Sequence, residues 1–138
     1  MDLAGRLRLA VIRTARRLRQ EAGTDLSPSL SAALATIDRH GPLSPSRLAE
    51  IERVKRPTAT RMVARLEEEG LVLRSTDPAD GRVSVVQASA AGRSLMKRIR
   101  TRKNAYLARR LRELSPGEVE YLERAAAILE RLLEEERR

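Results

Sequence analysis

The sequence has no cysteine, no tryptophan and no phenylalanine, and its only two tyrosines are Tyr106 and Tyr121. The lack of cysteine excludes disulfide bonds, zinc–thiolate centres and thiol-based redox sensing. The core has to be built from Leu, Ile, Val, Ala and Met, which suit helix packing. A subunit with so few large side chains gains stability by burying more surface against a second copy.

Long apolar runs are missing as well. No segment approaches the roughly 20 apolar residues that a membrane-spanning helix needs, and the Arg-rich start of the chain does not resemble a signal peptide, so we expect a cytoplasmic protein. Histidine occurs once, and there is no glycine-rich phosphate loop and no His–carboxylate cluster with metal-ligand spacing. We therefore expect no catalytic site, no metal and no cofactor.

Acidic residues are outnumbered by basic ones. The 28 Lys and Arg residues against 19 Asp and Glu give a net charge of +9, which favours a polyanionic partner. Arg outnumbers Lys by 25 to 3, and a biased genome composition can produce the same excess. Charge alone therefore leaves nucleic-acid binding undecided.

Apolar spacing and capping signals predict six helices and one β-hairpin. Helix starts are indicated by Ser-Pro at 27–28 and 44–45, and by the capping box that begins with Ser115-Pro116. Asp-Pro and Asp-Gly turn signals between 77 and 82 separate two strand-like runs, 71–76 and 83–88. The predicted helices span about 3–22, 28–40, 45–51, 57–69, 90–111 and 116 onward.

The segment 44–88 has the pattern of a helix-turn-helix followed by a hairpin, in which the second helix enters the DNA major groove. If Ala59, Met62, Val63 and Leu66 face the core, the opposite face of helix 57–69 carries Pro57, Thr58, Thr60, Arg61 and Arg65. Between 53 and 65 there are five basic residues and no acidic one.

These residue types suit DNA recognition. Arg61 can pair with a guanine edge, and the threonines can contact bases or phosphates. Lys55 and Arg56 precede the helix, where phosphate contact is the expected role. Three glutamates at 67–69 would be repelled by DNA, so the N-terminal half of the helix should enter the groove. The competing interpretation is a solvated basic helix face.

Leu48-Ala49-Glu50, the run PTATRMVARLEEEGLV at 57–72 and DPADGR at 77–82 together resemble the MarR family of bacterial regulators. The resemblance implies a mainly α fold with a small β-hairpin wing, formed by a single domain over 1–138. Residues 27–89 would form the winged helix-turn-helix lobe, and 1–23 and 90–138 the dimerisation helices.

In this family the arginine of the wing reaches into the minor groove, and the resemblance implies this role for Arg82. Asp80 would orient that arginine. The alternative is that Asp80 is a turn residue that bonds its own backbone. Two departures stand out: Lys55-Arg56 replaces the usual Ser or Thr cap, and Ala79 replaces a common basic wing residue. The predicted DNA-binding residues are Ser44, Lys55, Arg56, Pro57, Thr58, Thr60, Arg61, Arg65, Arg74, Asp80 and Arg82.

Charge is segregated in the flanking helices. Nine basic and no acidic residues occur from 93 to 112, whereas 118–136 holds seven Glu and two Arg. We hypothesise that acidic positions of the last helix neutralise basic positions of the first or fifth helix across the dimer interface. The alternatives are contact of the basic helix with flanking DNA and ordinary solvated charge. The predicted dimerisation residues are Leu3, Leu7, Val11, Leu107, Leu111, Leu122, Leu129 and Leu133.

The sequence therefore predicts a homodimeric, sequence-specific regulator of double-stranded DNA, with repression favoured over activation. The alternative is a nucleoid-type DNA-binding protein with little sequence preference. The resemblance also implies a possible small-molecule effector, bound in a cleft between the DNA-binding lobe and the dimer helices. Candidate residues for such a cleft are Arg13, Arg16, Arg17 and His40.

Overall fold

The computed structural model describes residues 1–136, apart from the side chain of residue 136. Over these residues the chain forms six helices and one antiparallel hairpin. Residues 137 and 138, the end of the segment predicted to form the dimer, lie outside the described residues. The elements are α1 (Leu3–Glu21), α2 (Pro28–His40), α3 (Pro45–Glu52), α4 (Arg56–Glu68), β1 (Val72–Thr76), β2 (Ser84–Ala88), α5 (Ala90–Leu111) and α6 (Pro116–Glu136). The predicted mainly helical fold with one hairpin is confirmed.

The helix starts lie where the capping signals place them. Ser27 Oγ accepts a hydrogen bond from the backbone N–H of Leu30, and Ser44 Oγ accepts one from that of Arg47. Ser115 and Glu118 form the reciprocal bonds of a capping box, at 3.2 and 3.0 Å. Each bond satisfies an N–H group that a helix leaves unpaired at its first turn.

The chain separates into two compact units, Met1–Lys103 and Asn104–Arg138. The first unit contains the hydrophobic core, to which α2, α3, α4, the hairpin and the start of α5 contribute. As the composition predicts, the core is aliphatic, and the largest fully buried side chains are Leu34, Ile37, Leu48, Leu66, Val63, Val72 and Val86.

The hairpin extends from this core and is called the wing below, comprising β1, β2 and residues 77–83. Its strands pair from Val72 opposite Ala88 to Thr76 opposite Ser84. On the other edge of β2, Leu43 and Val86 exchange two backbone hydrogen bonds of 3.0 and 2.8 Å. The inner strand of the wing is thereby attached to the segment between α2 and α3.

The start of α5 passes close to the end of α4. Gly92 is buried, and a Cβ atom added there would overlap the carbonyl oxygen of Leu71. Ser89 Oγ donates to the Gly70 carbonyl oxygen and accepts from the Gly92 N–H. Only glycine permits this approach, which fixes the base of the wing against α5.

Helices α1 and α6 differ from the core helices, because neither contains a buried residue within the described part of the chain. Among residues 1–136, no helix is both long and apolar enough to span a membrane. The large apolar side chains that α1 and α6 expose are Leu3, Leu7, Val11, Ile12, Tyr121, Leu122, Ile128, Leu132 and Leu133.

Candidate nucleic-acid interface

Helix α4 has one buried face and one exposed face, as predicted. Ala59, Val63 and Leu66 are completely buried and Met62 is half-buried. The side chains that lie away from this face are exposed, except for the half-buried Thr58 and Ala64. The N-terminal half of α4 is therefore free to present Pro57, Thr60 and Arg61 to a ligand.

The start of α4 lacks a capping side chain. Lys55 occupies the cap position and makes no side-chain hydrogen bond there, which confirms the missing cap expected from the sequence. Uncapped N–H groups and the positive end of the helix dipole form a favourable position for an anion such as a phosphate. The exposed side chains of Lys55 and Arg56 add two positive charges at this point.

Hydrogen bonds organise the exposed turn that follows. Arg61 Nη2 donates to Thr58 Oγ1 at 3.3 Å, and Thr60 Oγ1 donates to the carbonyl oxygen of Arg56 at 3.0 Å. The Thr60 hydroxyl proton is thus used inside the helix, which leaves its oxygen lone pairs and its methyl group for a partner. The Arg61 guanidinium retains further N–H donors of the kind that read a guanine edge.

The C-terminal half of α4 has the opposite character. Arg65 lies 3.5 Å from Glu68 and 3.4 Å from Glu69, and Arg74 of β1 lies 3.5 Å from Glu67. Two of the predicted DNA-binding arginines therefore have carboxylate partners within the subunit. The sequence placed these glutamates away from DNA, but it did not indicate that they pair with Arg65 and Arg74.

At the wing tip, both interpretations of Asp80 apply at once. Asp80 Oδ1 accepts from the backbone N–H of Arg82 at 3.1 Å and from its Nε at 3.2 Å. The carboxylate thus closes the turn and also orients the guanidinium. The Arg82 side chain is 92% exposed, so the arginine projects from the wing with only its Nε engaged.

Ser44, also predicted to contact DNA, is half-buried and caps α3 through its hydroxyl. The structure places Ser44, the start of α4 and the wing in one unit. DNA contacts by all these residues stay predictions. Among the described residues, no group of three or more His, Cys, Asp or Glu could hold a metal ion.

A cavity of about 630 Å³ lies in the first unit, between α1, α2 and the first part of α5. Its walls are largely apolar, with Leu18, Leu26, Met96 and Ile99 among them. The charged residues that line it are Arg19, Asp38, Arg39, Arg100 and Lys103. Arg13, Arg16, Arg17 and His40, suggested from the sequence, are not among its lining residues, because they lie on other faces of α1 and at the end of α2.

Comparison with known proteins agrees with this geometry. Residues 26–84 match the model of the MarR family. Over 134 residues, 96% of this chain and 94% of the relative, the chain is 38% identical to a protein of Mycobacterium bovis named as an HTH-type transcriptional regulator.

Solved structures give the same result. A Pseudomonas aeruginosa protein described as a transcriptional regulator is 34% identical and has a TM-score of 0.84, with 95% of this chain and 93% of that one covered. A MarR family protein from Bacillus stearothermophilus has a TM-score of 0.83, with 95% and 92% covered. At 23% identity, the second likeness shows the fold alone.

Proposed function

This chain belongs to the MarR family of DNA-binding transcriptional regulators, and we propose that two copies act together as a repressor on a near-palindromic operator in the cytoplasm. The observation that carries this proposal is the exposed N-terminal half of α4, with Thr60 and Arg61 directed away from the core. In a two-fold dimer the two copies of α4 would enter successive major grooves, about 34 Å apart. A protein bound there would block polymerase.

Exposed apolar surface supports the dimer. Leu3, Leu7 and Val11 follow one another at four-residue spacing on α1 and are 75%, 41% and 48% exposed. On α6, Leu122 and Leu133 are 47% and 65% exposed. Apolar side chains in such rows mark contact surfaces. Of the other predicted interface residues, Leu111 is exposed, and Leu107 and Leu129 are half-buried.

Charge also favours pairing between copies. Helix α1 carries six arginines from Arg6 to Arg19 and no acidic residue before Glu21, whereas α6 is rich in glutamate. We propose that α6 of one subunit offsets part of the positive charge of its partner across the interface. Added salt should then weaken dimerisation measured without DNA, and insensitivity to salt would remove this electrostatic contribution.

A competition experiment separates sequence-specific binding from the nucleoid-type alternative. A duplex enriched by the protein from a random pool is titrated against a scrambled duplex of the same length and base composition. We expect at least 1,000-fold tighter binding to the enriched duplex, the lower end of the range for specific regulators. Equal affinity for both duplexes would support the architectural alternative.

We also propose that Arg82 enters the minor groove beside each half-site, where a narrow A/T-rich groove has an enhanced negative potential. Replacing Arg82 with Ala should cost on the order of 2 kcal/mol on operators with A/T-rich flanks and much less on G/C-rich flanks. Fluorescence anisotropy on the two operator sets measures the difference. Lys55→Ala is the control, because a phosphate contact is lost alike on both; an equal loss for Arg82→Ala would argue against minor-groove insertion.

The cavity supports a ligand-responsive regulator. Four cationic residues against one carboxylate line an otherwise apolar space, which suits a small apolar anion such as an aromatic acid. At 100 times its Kd, such a ligand should stabilise the fold by about 2.7 kcal/mol and should lower operator affinity. Arg100→Ala should remove both effects, whereas Arg98→Ala should not, since Arg98 lies outside the cavity lining. A panel of aromatic carboxylates with no thermal shift would count against this role.

A further inference from the structure

The two strands of the wing are held very differently. In β2, Val85, Val86 and Ala88 are buried, and Leu43 is hydrogen-bonded to the edge of β2 that faces away from β1. In β1 only Val72 is buried, and the next four residues are exposed. Beyond its base, β1 is therefore held by its pairing with β2 and by its side chains.

One of those side chains reaches helix α4. Arg74, which lies opposite Val86 in the middle of the hairpin, places its Nε 3.5 Å from Oε2 of Glu67 on α4. Within residues 1–136, this is the one ion pair that joins α4 to the wing. The pair thus links the wing to the helix whose first turns carry Thr60 and Arg61.

Glu67 is also distinct from the glutamates beside it. Glu68 and Glu69 both lie near Arg65, on their own helix, whereas Glu67 pairs with a residue of the wing. A carboxylate on a DNA-binding helix opposes the approach of phosphates, so it has an electrostatic cost for binding. Its contact with Arg74 supplies a structural reason for a glutamate at this position.

We propose that Glu67 is a positioning residue: through Arg74 it sets the angle of the wing to α4, so that Arg82 and the N-terminal half of α4 engage DNA together. The inference rests on the proposed function. It assigns Arg74 the role of a brace, in contrast to the direct DNA contact expected from the sequence.

Geometry makes this brace effective. The tip begins three residues beyond Arg74, about 10 Å further along the strand at 3.3 Å per residue. A small rotation at the level of Arg74 therefore moves Arg82 by a larger distance. Because Asp80 already holds the Arg82 Nε and closes the turn, the tip moves as one piece, and its position depends on the angle of the strands below it.

The test compares Glu67→Gln with Glu68→Gln on the enriched operator. Each variant removes one negative charge from adjacent positions of α4, so each should strengthen general DNA attraction to a similar extent. The readout is the ratio of Kd on G/C-rich flanks to Kd on A/T-rich flanks, which reports the wing alone. We expect Glu67→Gln to lower this ratio about two- to five-fold, the range of an exposed ion pair, and Glu68→Gln to leave it unchanged.

A charge exchange distinguishes a brace from a DNA contact. Arg74→Glu should reduce the ratio, and the double variant Glu67→Arg with Arg74→Glu should restore it, because the pair is reformed with the wild-type net charge. If the double variant stays as defective as Arg74→Glu, Arg74 touches DNA directly and the proposal is overturned. Equal behaviour of Glu67→Gln and Glu68→Gln would overturn it as well.

The same titrations keep this inference separate from the proposed function. Wild-type discrimination between enriched and scrambled duplexes tests α4 and the operator; its absence would overturn both proposals. If the protein still discriminates enriched from scrambled duplexes but Glu67→Gln leaves the flank ratio of Kd values unchanged, only the brace proposal is overturned. Thermal unfolding of each variant checks that the subunit itself is intact.

Discussion

Replacing Leu122 with Glu is expected to lower operator affinity about 100-fold or more, because it separates two subunits that bind two linked half-sites. Leu122 lies on the apolar face of α6 and is 47% exposed in the single chain, so the carboxylate is tolerated in a free subunit. In a two-fold dimer the substitution occurs twice, and each buried, unpaired carboxylate costs several kcal/mol.

Ala127→Glu provides the matched control. Residue 127 is exposed, and its neighbours three and four positions away on α6 are Glu123, Arg124, Glu130 and Arg131. The variant adds the same charge to the same helix, on the polar side. Sedimentation should show a dimer for wild type and Ala127→Glu and a monomer for Leu122→Glu, with unchanged affinity of the monomer for a single half-site. A Leu122→Glu variant that remains dimeric would place the interface elsewhere.

Replacing Arg61 with Ala is expected to cost on the order of 1–3 kcal/mol on the operator and to relax the preference at one base position of each half-site. The reason is the loss of N–H donors that can pair with a guanine edge. The loss of affinity should be large on the enriched duplex and small on scrambled DNA. The reason is that the wild-type guanidinium pairs with a specific base only in the enriched duplex.

Lys55→Ala is the counterpart to Arg61→Ala, since Lys55 lies before α4, where a phosphate contact is expected. It should weaken enriched and scrambled duplexes alike and reduce the salt slope of binding by about 1. Titrations at several salt concentrations separate the two variants. If Arg61→Ala weakens every sequence equally and keeps the base preference intact, Arg61 is a phosphate contact and another residue reads the base.

The DNA-binding lobe was predictable because its local signals agree with its tertiary packing. Serine–proline pairs mark the starts of α2 and α3, and the apolar stripe of α4 is the face that the core buries. Turn signals at 77–82 locate the wing, whose strands begin one residue later than predicted. The missing cap at Lys55 could also be inferred, since Lys cannot accept the N–H bonds that a capping side chain takes.

Helix α5 was harder to interpret, because its arginines lie all round the helix and mask its apolar period. The apolar spacing predicts Leu95, Ile99, Tyr106 and Leu107 as the inward residues of α5; Ile99 is buried and the half-buried Leu95 packs against the core, but the buried Gly92 and Met96 were not predicted. Gly92 is explained by the nearby Leu71 carbonyl group, a contact between residues 21 positions apart. Contacts of this kind leave no local trace in the sequence.

Long-range polar contacts were missed for the same reason. Arg102 donates to the carbonyl oxygens of Ala22 and Gly23 at the end of α1, and Arg100 pairs with Asp38 of α2 at 3.4 Å. Part of the positive charge of α5 is thus used inside the first unit. The Glu67–Arg74 pair likewise depends on how the wing folds back beside α4, which the spacing of the two residues does not specify.

The measurement that tests this account most directly is the base composition of duplexes that the full-length protein enriches from a random pool. We expect two inverted half-sites whose centres are 10 to 10.5 base pairs apart, as two copies of α4 on one face of the duplex require, with A/T-rich flanks outside them. Enrichment of no motif, or of one isolated half-site without a symmetric mate, would contradict the proposal that paired α4 helices recognise the operator.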